Sequence, residues 1–159
     1  MKKIAILYSK YSSIIDAIKY QLSEYEVDCL TNQIDMNKYD LVILSDYKQK
    51  YEGNAIICHH SLLPAFDTKE PVKDAFLSGV KVTGITICYT NPRKIITQYP
   101  IFINNDMHYD ELVRQLSYIE QMLLPIIVKK ILADEPFDVQ KIINNGCGGN
   151  CGGCSSCNH

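Results

Sequence analysis

Apolar residues along this chain follow two rhythms. Lys3 to Tyr8, Glu26 to Leu30, Asp40 to Ser45, Ala55 to Cys58, Val80 to Tyr89 and Ile95 to Ile103 are apolar or alternating runs of strand length, several of them rich in β-branched residues. Between them the spacing becomes helical. Ser12 and Ser13 offer an N-cap before Ile14, Ile15, Ala17, Ile18 and Leu22, and Glu70 to Ser78 reads as a short helix closed by Gly79. Tyr109 to Leu132 is a long amphipathic helix with Leu112, Leu116, Ile119, Leu123, Ile126, Ile127 and Ile131 on one side, and Pro125 predicts a kink. Runs such as Asp40-Leu-Val-Ile-Leu-Ser45, apolar at consecutive positions, are of the kind buried on both faces of a parallel sheet. Strands alternating with helical segments predict a single α/β domain with a mostly parallel sheet, over residues 1–143. Such folds hold ligands beyond the carboxyl ends of their strands, so the expected site loops follow Tyr8, Ser45 and Cys58.

Composition narrows the picture. A chain of 159 residues forms one domain that buries about 70% of its unfolded surface and needs no staples. Of its seven cysteines, an odd number, Cys29, Cys58 and Cys88 lie within strand-like runs, where a free thiol packs as a small hydrophobe; this points to a reducing compartment. The N-terminus lacks a cleavable signal pattern and no stretch approaches eighteen apolar residues, so a cytoplasmic protein with no membrane partner is expected. A net charge of −2 without a basic cluster withholds the counterion-release term that drives nucleic-acid binding, and the expected partner is a small molecule or a protein.

Residues 144–159 differ in kind. Cys147, Cys151, Cys154 and Cys157 stand in a C-x3-C-x2-C-x2-C array in which glycine fills four of the seven intervening positions, and His159 ends the chain. Such a tail cannot build a core, yet its backbone can fold tightly enough to turn several sulfurs toward one point. The array predicts a thiophilic centre. Four cysteines within eleven residues suit a tightly wrapped zinc ion, and the spacing is also the reverse of a ferredoxin run, so an iron-sulfur cluster fits equally.

His59-His60-Ser61-Leu62-Leu63-Pro64, followed by Gly79-Val-Lys-Val-Thr83-Gly84, resembles the formyltransferase family that includes glycinamide ribonucleotide formyltransferase. In that family a strand ends in Asn, an apolar residue and His, then a Pro or small residue and Ser-Leu-Leu-Pro. The Gly-Val-Lys-Val-Thr-Gly strand follows at this separation. The resemblance extends more weakly over Lys3 to Leu22 and over Gln98 to Leu132. It implies a Rossmann-like fold, a reduced folate as formyl donor, and His59 as the catalytic histidine.

Three departures accompany it. The family's Asn falls on Ile57, whose side chain donates no hydrogen bond. The Asp that orients the histidine has no counterpart in Tyr89 to Gln98, a shorter link without any acidic residue, and the phosphate loop after the first strand reads Ser9-Lys-Tyr-Ser-Ser13, without glycine. His59 is then either a general acid or a loop-end imidazole satisfied by a carbonyl. His60 could join Cys58 and His59 at a metal, but three consecutive strand residues project alternately and converge only through a turn. Cys58 and Cys88 read as core packing near the cleft, and Lys10, Lys48 and Arg93 as cations on its rim. The expectation is a formyltransferase-fold protein without glycinamide ribonucleotide formylation, bearing a metal- or cluster-binding tail. The alternative is a one-carbon transferase acting on a small amine, with His59 as general acid.

Overall fold

The computed structural model describes residues 1–135 except Gln33 and Lys48; the tail cysteines and the expected domain boundary at residue 143 lie outside the described residues. Six strands form one sheet: β1 (Lys3–Tyr8), β2 (Glu26–Leu30), β3 (Leu41–Ser45), β4 (Ile56–His59), β5 (Val82–Thr90) and β6 (Arg93–Phe102), in the order β2-β1-β3-β4-β5-β6. The first four pair in parallel, and β5 runs antiparallel to both β4 and β6. The helices are α1 (Ser13–Gln21), α2 (Pro71–Ser78) and α3 (Tyr109–Leu132). The expected mostly parallel sheet is therefore present, with each strand within three residues of its expected ends.

β1 lies inside the sheet between β2 and β3, and its consecutive apolar residues face both ways, as expected for a strand covered on two sides. Ile4 and Ile6 join Ile15, Ile18, Ile43, Ile56, Ile85, Ile87 and the inner residues of α3 in the main core. Ala5 and Leu7 face a smaller cluster with Val42 and Ala55, covered by Tyr39, Tyr47 and Tyr51. Here strict strand-helix alternation fails. The β2–β3 link holds only a 3₁₀ turn, Met36–Lys38, and among the described residues of the β3–β4 link there is no helix, so tyrosine rings replace a helical layer.

α3 occupies the span its periodicity predicts, with one rotation in detail. Leu124, Val128 and Leu132 are buried alongside Leu112, Leu116, Leu123 and Ile127, whereas Ile126 faces outward. The helix continues through Pro125, which has no N–H to offer the carbonyl four residues earlier; Gln21 Nε2 from α1 donates to that carbonyl, Gln121 O, at 2.8 Å. One position breaks the apolar stripe. Glu120, between Leu116 and Leu123, is only 7% exposed.

Candidate active site

A cleft of about 620 Å³ opens at the carboxyl ends of the parallel strands. Ser12 after β1, Ser45 to Tyr47 after β3, and Ile57 to His60 at the end of β4 line it, with Thr68, Val72 and Glu120 opposite. These are the three loops the strand pattern singles out. Lys10 is exposed and does not line the cleft.

The turn that follows β4 is held by an interlocking set of bonds. Thr86 Oγ1 donates to Ser61 O at 2.7 Å and accepts from the Leu63 amide at 3.0 Å, while Gln98 Nε2 donates to Leu63 O at 2.8 Å. Gly84 completes the fit. A Cβ there would lie 2.0 Å from Tyr99 O and 2.8 Å from Leu62 Cδ2, so Leu62 seats itself in the space a side chain would take. The sequence pair Ser-Leu-Leu-Pro and Val-Thr-Gly is thus a single packed unit.

Alternation along β4 divides its chemistry between two faces. Cross-strand pairing sets Ile57 beside Cys88 and His59 beside Thr86, while Ile56 and Cys58 pack against the helical core. On the first face, Ser61 Oγ lies 2.9 Å from His59 Nδ1 and donates its single proton to Ala65 O at 2.7 Å. That hydroxyl can then only accept from the imidazole. Neutral His59 therefore carries its proton on Nδ1, and Nε2 presents a lone pair. Nε2 stands 3.7 Å from Asp67 Oδ1. Burial lowers the His59 pKa, and the Asp67 carboxylate opposes this while Arg93 and His60 reinforce it.

Asp67 is not visible as a partner from the sequence, because it comes from the loop after Pro64 rather than from the β5–β6 link, where the family resemblance places an acid. Arg93, expected as a cation on the cleft rim, holds Asp67 through two bonds, Nη1 to Oδ2 at 2.6 Å and Nη2 to Oδ1 at 3.2 Å, and draws its carboxyl below the usual range. Both side chains are about half exposed, at 49% and 48%, so the pair contributes at most about 1 kcal/mol of stability. Its consequence is geometric: the fork fixes the carboxylate beside Nε2. Cys88 is buried on this face and its thiol pKa is raised, chiefly by burial.

On the second face, Cys58 and His60 meet Glu120 of α3. His60 Nε2 and Glu120 Oε2 are 2.6 Å apart, and Cys58, His60 and Glu120 each place a donor atom within 4.8 Å of the other two. The expected obstacle, three consecutive side chains pointing alternately, does not arise, since His59 turns away and α3 supplies the third group. A charge at the centre of the α3 stripe was the signal in the sequence.

Residues 5–128 match the model of the formyl transferase family. The chain is 32% identical over 117 residues to phosphoribosylglycinamide formyltransferase of Bacillus subtilis, covering 65% of this chain and 59% of that one. It is 30% identical over 104 residues to formyltetrahydrofolate deformylase of Escherichia coli K12, covering 63% and 37% respectively. It thus spans less than two thirds of the length of these relatives. Among solved structures, phosphoribosylglycinamide formyltransferase from Campylobacter jejuni superposes with a TM-score of 0.72 at 20% identity, covering 82% of this chain and 97% of that one. The Bacillus halodurans enzyme of the same name gives 0.66 at 23%, covering 82% and 95%. These structural likenesses establish the shared fold.

Proposed function

This chain belongs to the formyl transferase family, and we propose that it moves a formyl group to a small amine or to water, with His59 as the proton carrier and without glycinamide ribonucleotide as acceptor. The observation that carries the reading is the arrangement of His59: Nδ1 donating to Ser61, Nε2 open on the cleft wall, and Asp67 at 3.7 Å. An imidazole satisfied only by a backbone carbonyl would have no reason for an arginine-held carboxylate at its second nitrogen.

The cleft suits a planar heteroaromatic donor, with Ile14, Leu44 and Val72 as apolar wall and Tyr47 beside them. A reduced folate, when bound, supplies the formyl group. The attacking nitrogen or oxygen forms a bond to the formyl carbon as the carbon's bond to its donor nitrogen breaks. His59 Nε2 takes the proton shed by the attacking group and returns it to the departing nitrogen, so no net proton is consumed. Asp67 stabilises the imidazolium between these steps, as a carboxylate does beside a general base. The glycine-free Ser9–Ser13 segment disfavours close backbone approach to a phosphate, which supports an acceptor other than a ribonucleotide.

The test is release of deformylated folate from a 10-formyl reduced folate by the full chain, with water, a panel of small amines and glycinamide ribonucleotide offered in turn. Turnover with water or an amine, abolished in His59→Gln and absent with the ribonucleotide, is the expected result. No turnover with any acceptor would overturn it. The array of Cys147, Cys151, Cys154 and Cys157 completes the proposal as a zinc or iron-sulfur element. Metal and sulfide analysis of anaerobically purified protein, beside a variant with these four cysteines changed to serine, tests that part.

A further inference from the structure

Glu120 poses a problem that packing does not solve. Its position on α3 lies between Leu116 and Leu123, where an aliphatic side chain would add roughly 2 kcal/mol of burial. A carboxylate there instead incurs a desolvation penalty of several kcal/mol, of the order found for buried ions. The Glu120 carboxyl meets His60 Nε2 at 2.6 Å, and the His60 side chain is itself 24% exposed. Cys58 completes the group. Its thiol pKa lies well above the ordinary value because of burial first and the Glu120 charge second.

We propose that Cys58, His60 and Glu120 form a three-ligand site for a zinc-class divalent transition metal whose fourth position opens on the cleft. One sulfur, one nitrogen and one oxygen is the borderline-soft donor set that zinc, cobalt or ferrous ions take, and three protein ligands with an open position is the pattern of reactive rather than structural sites. Distances agree. Metal bonds of about 2.0 Å to nitrogen and oxygen at tetrahedral angles require donors about 3.3 Å apart, and sulfur about 3.5 Å from either. The three donor atoms lie within 4.8 Å of one another, and the His60–Glu120 pair need only part from 2.6 Å to receive an ion between them. Two ligands come from the strand end and one from a helix pinned in the main core, so the frame is rigid on both sides. All three residues line the cleft, which leaves the open position to water or to a substrate oxygen.

The chemical use of such an ion rests on the formyl-transfer reading: a Lewis acid at the formyl oxygen would do what Ile57, with no donor, cannot. The binding itself does not rest on that reading. Its test therefore measures metal alone. In the full chain with Cys147, Cys151, Cys154 and Cys157 changed to serine, cobalt(II) should bind at one equivalent with a thiolate-to-metal charge-transfer band and four-coordinate visible absorption. Cys58→Ser should remove that band. His60→Gln and Glu120→Gln should each weaken binding by about 100-fold or more, since loss of a direct ligand exceeds the usual outer-shell effect. Added zinc should raise the melting temperature of the tail-serine protein but not of its Glu120→Gln variant, whose own circular dichroism shows whether it is folded. Absence of cobalt binding in the tail-serine protein, or a band that survives Cys58→Ser, would overturn the proposal.

Discussion

The two faces of β4 solve the problem of a buried imidazole in opposite ways. On one, burial favours a neutral His59 ring, which donates to a hydroxyl and meets its carboxylate, Asp67, at 3.7 Å, with Arg93 absorbing much of that charge. On the other, His60 grips a buried carboxylate directly at 2.6 Å, with the Cys58 thiol nearby. The first arrangement leaves a nitrogen free to exchange a proton. The second saturates itself and is relieved only by a cation. Neighbouring residues of one type thus acquire different chemistry from what the alternating backbone sets beside each.

The sharpest way to break this contrast is to exchange the roles. Under the proposed chemistry His59→Gln should lower kcat by two to four decades, the usual range for losing a positioned proton carrier, with the melting temperature nearly unchanged. His60→Gln should leave proton transfer by His59 intact, so any loss of kcat it causes should appear only when zinc or cobalt is present. Steady-state kinetics of the two variants in metal-free buffer check this, and equal losses there would erase the distinction between faces.

Next in size is Gly84→Ala. The added methyl must displace Tyr99 O or Leu62, and overpacking of this kind costs about 1–3 kcal/mol. Chemical denaturation should show the loss in the midpoint. Because Leu62 adjoins Ser61, activity should fall beyond the loss of folded protein if the His59 face depends on that turn.

Asp67→Asn should reduce kcat by about tenfold with little change in KM, in line with losing roughly 1.4 kcal/mol of imidazolium stabilisation. Asp67→Glu should restore part of it. A proportionate fall in melting temperature and activity would mark Asp67 as structural only.

The smallest effect concerns acid stability. The Asp67 carboxyl lies below its ordinary range because of Arg93 first, so its contribution is complete above the unfolded carboxylate pKa and is lost as pH falls through the lower folded value. With both partners about half exposed, Asp67→Asn should narrow the stability difference between pH 6 and pH 3 by about 0.5 kcal/mol at most. Urea midpoints at the two pH values measure it.

Much of the frame was legible because periodicity records burial. The strand runs, the helix from Tyr109 to Leu132, the Gly79 stop at a φ of +77° and the three site loops all follow from local patterns. The family motif located His59. What escaped was whatever depends on long-range approach. Asp67 and Arg93 are 26 positions apart and join only because the β5–β6 hairpin folds back over the turn, and Glu120 reaches His60 across 60 positions. Ile126 turns outward although its spacing predicts an inward position, because the inner face of a long helix with a proline rotates gradually and brings Leu124, Val128 and Leu132 into the core instead.

The seat that Gly84 makes for Leu62 also bears on how this site can change. A joint in which even a methyl would come within 2.0 Å of a carbonyl oxygen admits no larger part, so the height of the Ser61–Pro64 turn above the sheet is fixed in the manner of a machined datum. New acceptor preferences then have to be written where the frame is loose. The loops after β1 and β3, which line the cleft at Ser12 and Tyr47, offer that freedom, and a selection for altered substrates should accumulate its substitutions around Ser12 and Tyr47 while leaving Gly84 untouched.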